Sequence, residues 1–233
     1  GYMGLIKQID DQMGVLFAFL EENGLMDNTM IVFTADHGDY LGDHWMGEKD
    51  LFHEAVIKAP LIIYDPDPRA DATRGTRSQA LVEAVDIAPT FLDVYGGPAV
   101  PHIMDGRSLR PLLFGQQPAD WRTEVVCEYD FSFQESRIAL GAKPRDAWMR
   151  MVRDGRWKYV LFENYRPMLF DLQQDPNEFK DLGASTAPEH VAAMQRLHEA
   201  LFRWARQPRQ RVTIPDGAIE STEVQARITE GGI

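Results

Sequence analysis

Thr29-Met30-Ile31-Val32-Phe33-Thr34 is a short unbroken run of strand-favouring residues, and it follows directly on a segment whose apolar residues recur every three or four positions. An unbroken run of this kind reads as a strand buried on both faces, whereas three- and four-residue spacing places apolar side chains on one helical face. From Leu5 onward that face holds Ile6, Ile9, Met13, Leu16, Phe17 and Leu20, and Asn23-Gly24 supplies a helix stop. The pattern predicts one helix feeding one central parallel strand. A second strand of the same type is expected at Leu61-Ile62-Ile63-Tyr64, introduced by Pro60 and closed by Asp65-Pro66. Farther on, Asp86 as a cap, Pro89 in the first turn and Gly96-Gly97-Pro98 at the end bracket a helix beginning at Ile87. Helices alternating with buried strands predict an α/β sandwich over residues 1–115.

The pattern changes after Leu113. Thr123 to Tyr129, Arg150 to Val152 and Trp157 to Phe162 read as strands, with Asp154-Gly155 as a tight hairpin turn between the last two. Another short strand is expected from Met168 to Leu172, ending before Asp175-Pro176. Val191, Met194, Leu197, Leu201 and Trp204 then lie in helical register between Pro188 and Gln207-Pro208. Residues 116–208 are therefore expected to form a small antiparallel sheet with a packed helix. The stretch 209–233 is polar and weakly periodic, which reads as a C-terminal arm and a candidate contact for a homo-oligomer.

At 233 residues and 44% hydrophobic content the chain can bury a real core, and its formal net charge of −12 argues against nucleic acid or an anionic membrane as a partner. No apolar run is long enough to span a bilayer. Cys127 is the one cysteine, so neither an intrachain disulfide nor a multi-cysteine zinc site is available, and its place in Val125-Val126-Cys127 reads as a buried apolar position. Nothing here points to an oxidising compartment, which favours a cytoplasmic over a periplasmic location. The chain opens at Gly1-Tyr2-Met3 almost directly into the amphipathic pattern, as the interior of a longer sequence would.

Asp36-His37-Gly38-Asp39 comes immediately after the first strand, at the carboxyl end where open α/β sheets place their ligands. A carboxylate beside an imidazole suits one divalent cation, with Gly38 letting the chain turn tightly against it. Taken alone, the segment reads first as a polar strand-to-loop turn, and two candidate ligands do not make a site. Lys49, on the loop leaving the same strand end, is a point cation suited to a tetrahedral anion, although most lysines are simply solvated. His44 and His53 share that loop and read as hydrogen-bonded loop residues or as groups near a substrate.

The run from Ile31 through Thr34-Ala35-Asp36-His37-Gly38-Asp39 to His44, followed by Lys49 and by Ala59-Pro60-Leu61-Ile62-Ile63, resembles the second metal-binding segment of the sulfatases. Val85-Asp86-Ile87-Ala88-Pro89-Thr90 and Asp105-Gly106-Arg107-Ser108-Leu109 are similar to two further segments of that family, in the same order. Arg156-Trp157-Lys158-Tyr159, Leu169-Phe170-Asp171-Leu172 and Asp175-Pro176-Asn177-Glu178 resemble its C-terminal subdomain. The loop Asp65-Pro66-Asp67-Pro68-Arg69 and Arg166-Pro167 look most like the phosphonate monoester hydrolase branch of the alkaline phosphatase superfamily.

This resemblance implies a partial alkaline-phosphatase-like α/β sandwich followed by the small sheet and helix. It also implies a metal-dependent hydrolase of sulfate monoesters, phosphonate monoesters or phosphodiesters, acting on a small anionic ester. By resemblance Asp36 and His37 are two ligands of one divalent metal ion, manganese or calcium, and Lys49 contacts the sulfate or phosphoryl oxygens. His37 tilts the choice toward manganese. The family's nucleophile, a Cys or Ser oxidised to formylglycine within a Cys/Ser-x-Pro-x-Arg motif, and its first acidic metal ligands lie upstream of the residues matched here. Cys127 is followed by Glu128-Tyr129-Asp130 and does not supply that motif. The chain alone is therefore expected to be a catalytically silent fragment. The alternative is a non-catalytic metal- or anion-binding module. Asp36, His37 and Lys49 are expected to face one open cleft.

Overall fold

The computed structural model describes residues 1–207, so the arm read at 209–233, with the homo-oligomer contact assigned to it, lies outside the described residues. The chain divides into two compact units. The first comprises Gly1–Ala35, Pro60–Ser78 and Pro111–Gln117.

Helix α1 of this unit spans Tyr2–Glu22. It stops where the sequence places the stop: Gly24 takes a left-handed φ of 64°, Gly24 N donates to Glu21 O (3.1 Å) and Leu25 N to Leu20 O (2.8 Å). Its apolar face is formed but uncovered, with Ile6 44%, Ile9 52% and Leu16 44% exposed and Leu20 alone among its residues buried. Strand β1 (Ile31–Thr34) pairs with β2 (Leu61–Tyr64) in register from Ile31 opposite Tyr64 to Thr34 opposite Leu61.

That pairing is antiparallel, which corrects the expected parallel strand. The chain leaves β1 beyond Thr34 and re-enters β2 at Leu61, its partner at the same end of the ladder, so the two strands must run in opposite directions. Burial on both faces is not found either: each strand has one partner, and Phe33 and Ile62 remain 37% and 64% exposed.

The second unit comprises Asp36–Ala59, Gln79–Arg110 and the described residues from Pro118 to Gln207. Its sheet is an antiparallel meander, β3 (Val125–Asp130), β4 (Trp148–Arg153), β5 (Trp157–Phe162) and β6 (Met168–Asp171), paired in that order. The β4–β5 turn forms because the Asp154 carboxylate accepts from Arg156 N (2.7 Å) and Trp157 N (2.6 Å), an aspartate-capped turn read correctly from Asp154-Gly155.

Both faces of this sheet are covered. Helix α2 spans Ile87–Val94, and the long helix α3, Pro188–Ala205, packs Ala193, Leu197, Ala200 and Leu201 against Val152, Trp157, Tyr159 and Leu169. Each fully buried leucine of that set contributes about 1.5–3 kcal/mol relative to exposure. On the opposite face Phe52, Phe131, Ala147, Met149, Met151 and Val160 form a second cluster. Residue alternation along β5 thus sends Tyr159 toward α3 and Lys158 toward the loop that carries Phe52.

Asp86 does not cap α2 with its side chain. It is fully buried and accepts from Glu83 N (2.8 Å), Arg107 N (2.8 Å) and both terminal nitrogens of Arg122, one at 2.6 Å. Gly106 is required beside it, since a Cβ there would lie 2.0 Å from Val85 O. No helix among the described residues is long and apolar enough to cross a membrane.

Candidate active site

Asp36 and His37 open the second unit, in a turn pressed against the backbone of residues 55 and 56. Gly38 N donates to Val56 O at 2.6 Å, and a Cβ on Gly38 would sit 1.9 Å from Ala55 O, so glycine is demanded by close approach. The turn is held within itself by His37 N donating to Asp36 Oδ1 (3.0 Å) and Leu41 N to Asp39 Oδ1 (2.8 Å).

The imidazole orientation decides the chemistry of the pair. His37 Nδ1 lies 2.6 Å from the Gly38 carbonyl, which only accepts, so Nδ1 carries a proton. In the neutral ring Nε2 is then a bare acceptor, and it stands 3.4 Å from Asp36 Oδ2, another acceptor. Two lone-pair donors facing each other are satisfied by a proton or by a cation between them. The Asp36 side chain is 85% exposed, which leaves its carboxylate open to further coordination partners. Donor type and a fixed tautomer fit one divalent cation, with the backbone carbonyl in the outer-shell role usual for a metal-bound histidine. Among the described residues no group of three His, Cys, Asp or Glu side chains converges, so the pair supplies two donors and not a complete cage.

Lys49 is exposed, on a loop tied back to the same turn: Tyr40 N donates to Glu48 O at 2.9 Å, and Gly42 N to Met46 O at 3.0 Å. Chain geometry thus brings Glu48, next to Lys49, against Tyr40, three residues beyond His37. Within this loop Leu41, His44, Trp45, Glu48 and Leu51 all have φ between 50° and 73°, a region unfavourable for side-chain-bearing residues. Such a cluster persists only where surrounding contacts over-determine the backbone.

Those contacts come from beneath the loop. His53 stacks on His44 with ring centres 3.9 Å apart, and its Nδ1 is 2.7 Å from the hydroxyl of fully buried Tyr40. Burial, reinforced by His44 and Lys158, pushes His53 down to about 4, and burial pushes Tyr40 up to about 12. The tyrosine is therefore the donor and the ring a neutral acceptor. His53 is thus a hydrogen-bonded loop histidine, and His44 stacks on its ring.

Lys158 lies in the Arg156-Trp157-Lys158-Tyr159 motif of the sequence but has no role assigned to it there. It is fully buried, donates to Phe52 O at 2.8 Å and pairs with Glu178 Oε1 (2.6 Å) and Glu54 Oε1 (2.9 Å). Glu178 Oε2 in turn accepts from Glu54 N at 2.6 Å. Burial alone raises the Glu54 pKa, but Lys158 and Arg153 more than offset it and hold the carboxyl below its usual range. A lysine inside Trp157-Lys158-Tyr159-Val160-Leu161 was the available signal, since a charge in an otherwise apolar strand needs a partner. Tyr129, on β3, donates to Asp50 Oδ1 at 2.7 Å, and its own pKa is pushed up to about 12 by burial and by that carboxylate.

Cys127 has its thiol pKa raised by burial, in keeping with an unreactive packing role.

A family model described as N-sulphoglucosamine sulphohydrolase, C-terminal, matches residues 42–207. The chain is 36% identical over 206 residues to the multifunctional alkaline phosphatase superfamily protein PehA of Trinickia caryophylli, covering 87% of this chain and 39% of that protein. It is 32% identical to the N-acetylglucosamine-6-O-sulfatase of Bacteroides thetaiotaomicron, covering 85% and 34% of the two. Among solved structures, the phosphonate monoester hydrolase of Agrobacterium radiobacter superposes with a TM-score of 0.78 at 34% identity, over 87% of this chain and 40% of that one. The phosphonate monoester hydrolase SpPMH of Silicibacter pomeroyi gives 0.79 at 33% identity, over 90% and 42%. The chain thus spans 34–42% of the length of these four relatives.

Proposed function

Because this chain belongs to the N-sulphoglucosamine sulphohydrolase C-terminal family, within the sulfatases and phosphonate monoester hydrolases, we propose that it is the metal- and anion-binding C-terminal portion of a hydrolase of sulfate monoesters, phosphonate monoesters or phosphodiesters. The observation that carries this reading is the pairing of two bare acceptors, Asp36 Oδ2 and His37 Nε2, at 3.4 Å on an exposed turn. Such a pair suits one divalent cation, and its imidazole favours manganese over calcium. When bound, that cation supplies Lewis-acid polarisation of the ester's oxygens.

The residues of this chain then have distinct tasks. Gly38 O holds the proton on His37 Nδ1, which keeps Nε2 available. Asp36 supplies negative charge to the same position. Lys49 offers an ammonium to the sulfate or phosphoryl oxygens and offsets charge that builds up as the ester bond breaks. We place all three side chains on one open cleft. The attacking oxygen, a formylglycine hydrate by family resemblance, is assigned to a residue outside this chain, because Cys127 lacks both the motif and an activated thiol.

The test is turnover of an aryl sulfate, a phenylphosphonate monoester and an aryl phosphodiester with manganese or calcium, by this chain and by the full encoded protein. Metal-dependent turnover by the full protein and silence of the 233-residue chain are expected. Metal-dependent turnover by the chain alone would overturn the division of labour, and an inactive full protein that binds metal and sulfate would favour the non-catalytic module.

A further inference from the structure

Lys49 sits in a loop that local forces alone do not maintain. Five side-chain-bearing residues at 41, 44, 45, 48 and 51 hold positive φ, and Lys49 falls between the last two. The carbonyl of Glu48 is fixed from one side by Tyr40 N at 2.9 Å. On the other side of Lys49 two anchors rise from the four-stranded sheet: Tyr129 of β3, whose hydroxyl donates to the Asp50 carboxylate at 2.7 Å, and Lys158 of β5, whose ammonium donates to Phe52 O at 2.8 Å.

The two anchors differ in kind. Lys158 is locked by Glu178 and Glu54 at 2.6 and 2.9 Å, and Glu178 also holds Glu54 N, where the chain after the loop enters its one-turn helix Glu54–Ile57. A lysine with no solvent access, whose charge is met by two carboxylates and whose ammonium donates to a backbone carbonyl, holds that carbonyl in place. Tyr129 anchors the loop through its hydroxyl alone, which donates to Asp50 and accepts from Gln134 Nε2 at 3.1 Å, and that hydroxyl is removable without changing the shape of the packing.

We propose that Tyr129 and Lys158 are positioning residues that hold the Lys49 ammonium in place against the anionic group of the substrate. The inference rests on the assignment of Lys49 to that anion. It extends the working site from the strand-end turn into the small sheet and makes that sheet the rigid support of the anion-binding loop.

The experiment is a set of double-mutant cycles on the full encoded protein, with p-nitrophenyl sulfate and p-nitrophenyl phenylphosphonate as probes. Tyr129→Phe, Asp50→Ala and Lys158→Met are each made in the wild-type and in the Lys49→Ala backgrounds, alongside Asp50→Asn, whose amide oxygen still accepts from Tyr129. Each of the first three is expected to lower kcat/KM about tenfold in the wild-type background and less than twofold when Lys49 is absent, while Asp50→Asn keeps most of the activity. A loss of the same size in both backgrounds, or no loss from Tyr129→Phe, overturns the positioning role. If Lys49→Ala itself leaves turnover unchanged, the assignment of Lys49 fails first and the proposal fails with it. Should Lys158→Met not fold, Tyr129→Phe with an unchanged melting temperature still decides the matter.

Discussion

Acidification should unlock the packing beneath the Lys49 loop through His53. The folded pKa of this ring is about 4 against an ordinary value of 6.5. Between these values the unfolded chain binds a proton at His53 and the folded chain does not, so stability falls as pH falls. The sign follows from a base whose folded pKa is depressed: the contribution is complete above about 6.5 and is withdrawn on the way down to about 4. The full difference corresponds to about 3 kcal/mol at about 1.4 kcal/mol for each pH unit, of which about 2 kcal/mol is lost between pH 7 and pH 4.5. Urea unfolding as a function of pH, compared between wild type and His53→Gln, isolates this group from the carboxylates, because glutamine still accepts from the Tyr40 hydroxyl and does not titrate. The wild type should lose about 2 kcal/mol more than the variant over that interval. Parallel pH profiles would refute the argument that burial, His44 and Lys158 keep this ring neutral.

Three further outcomes are expected. Gly38→Ala, which brings a Cβ within 1.9 Å of Ala55 O, should cost about 3 kcal/mol in chemical denaturation, and a cost below about 0.5 kcal/mol would show that the turn relaxes freely. Arg122→Leu strands the fully buried Asp86 carboxylate and should destabilise by about 3–5 kcal/mol, whereas Asp86→Asn with Arg122→Leu together should recover part of that loss, a comparison made by thermal and urea unfolding. The uncovered face of α1, with Ile9 52% and Leu16 44% exposed, should make the isolated chain bind a hydrophobic dye and self-associate. A monodisperse, cooperatively melting monomer would contradict that.

Periodicity and turn chemistry act locally, and what they control was legible in the sequence. The stop at Asn23-Gly24, the Asp154-Gly155 hairpin and the helix carrying Leu197 and Leu201 all follow from residues within one or two turns of each other. The direction of β1 against β2 was not legible, because it depends on where a long connection returns. Asp86 illustrates the same limit: it precedes a helix as a cap would, but Arg122 and Arg107, remote in sequence, take its carboxylate. At the candidate site Asp36, His37 and Lys49 stand out because one short segment carries them. Their support is invisible in that segment: Lys158 reaches Phe52 across 106 residues, and Glu178 reaches Glu54 across 124.

We propose that Asp36 and His37 hold a cation while Lys49 acts on the substrate anion without touching the metal. Calorimetric titration of manganese into the full encoded protein, paired with steady-state turnover of an aryl sulfate and a phenylphosphonate monoester, separates these tasks in wild type, Asp36→Ala and Lys49→Ala. Asp36→Ala should lose manganese affinity and turnover together. Lys49→Ala should lose about a hundredfold or more in turnover while its manganese isotherm stays that of the wild type. Retained metal in Asp36→Ala, or metal lost from Lys49→Ala, would contradict the assignment.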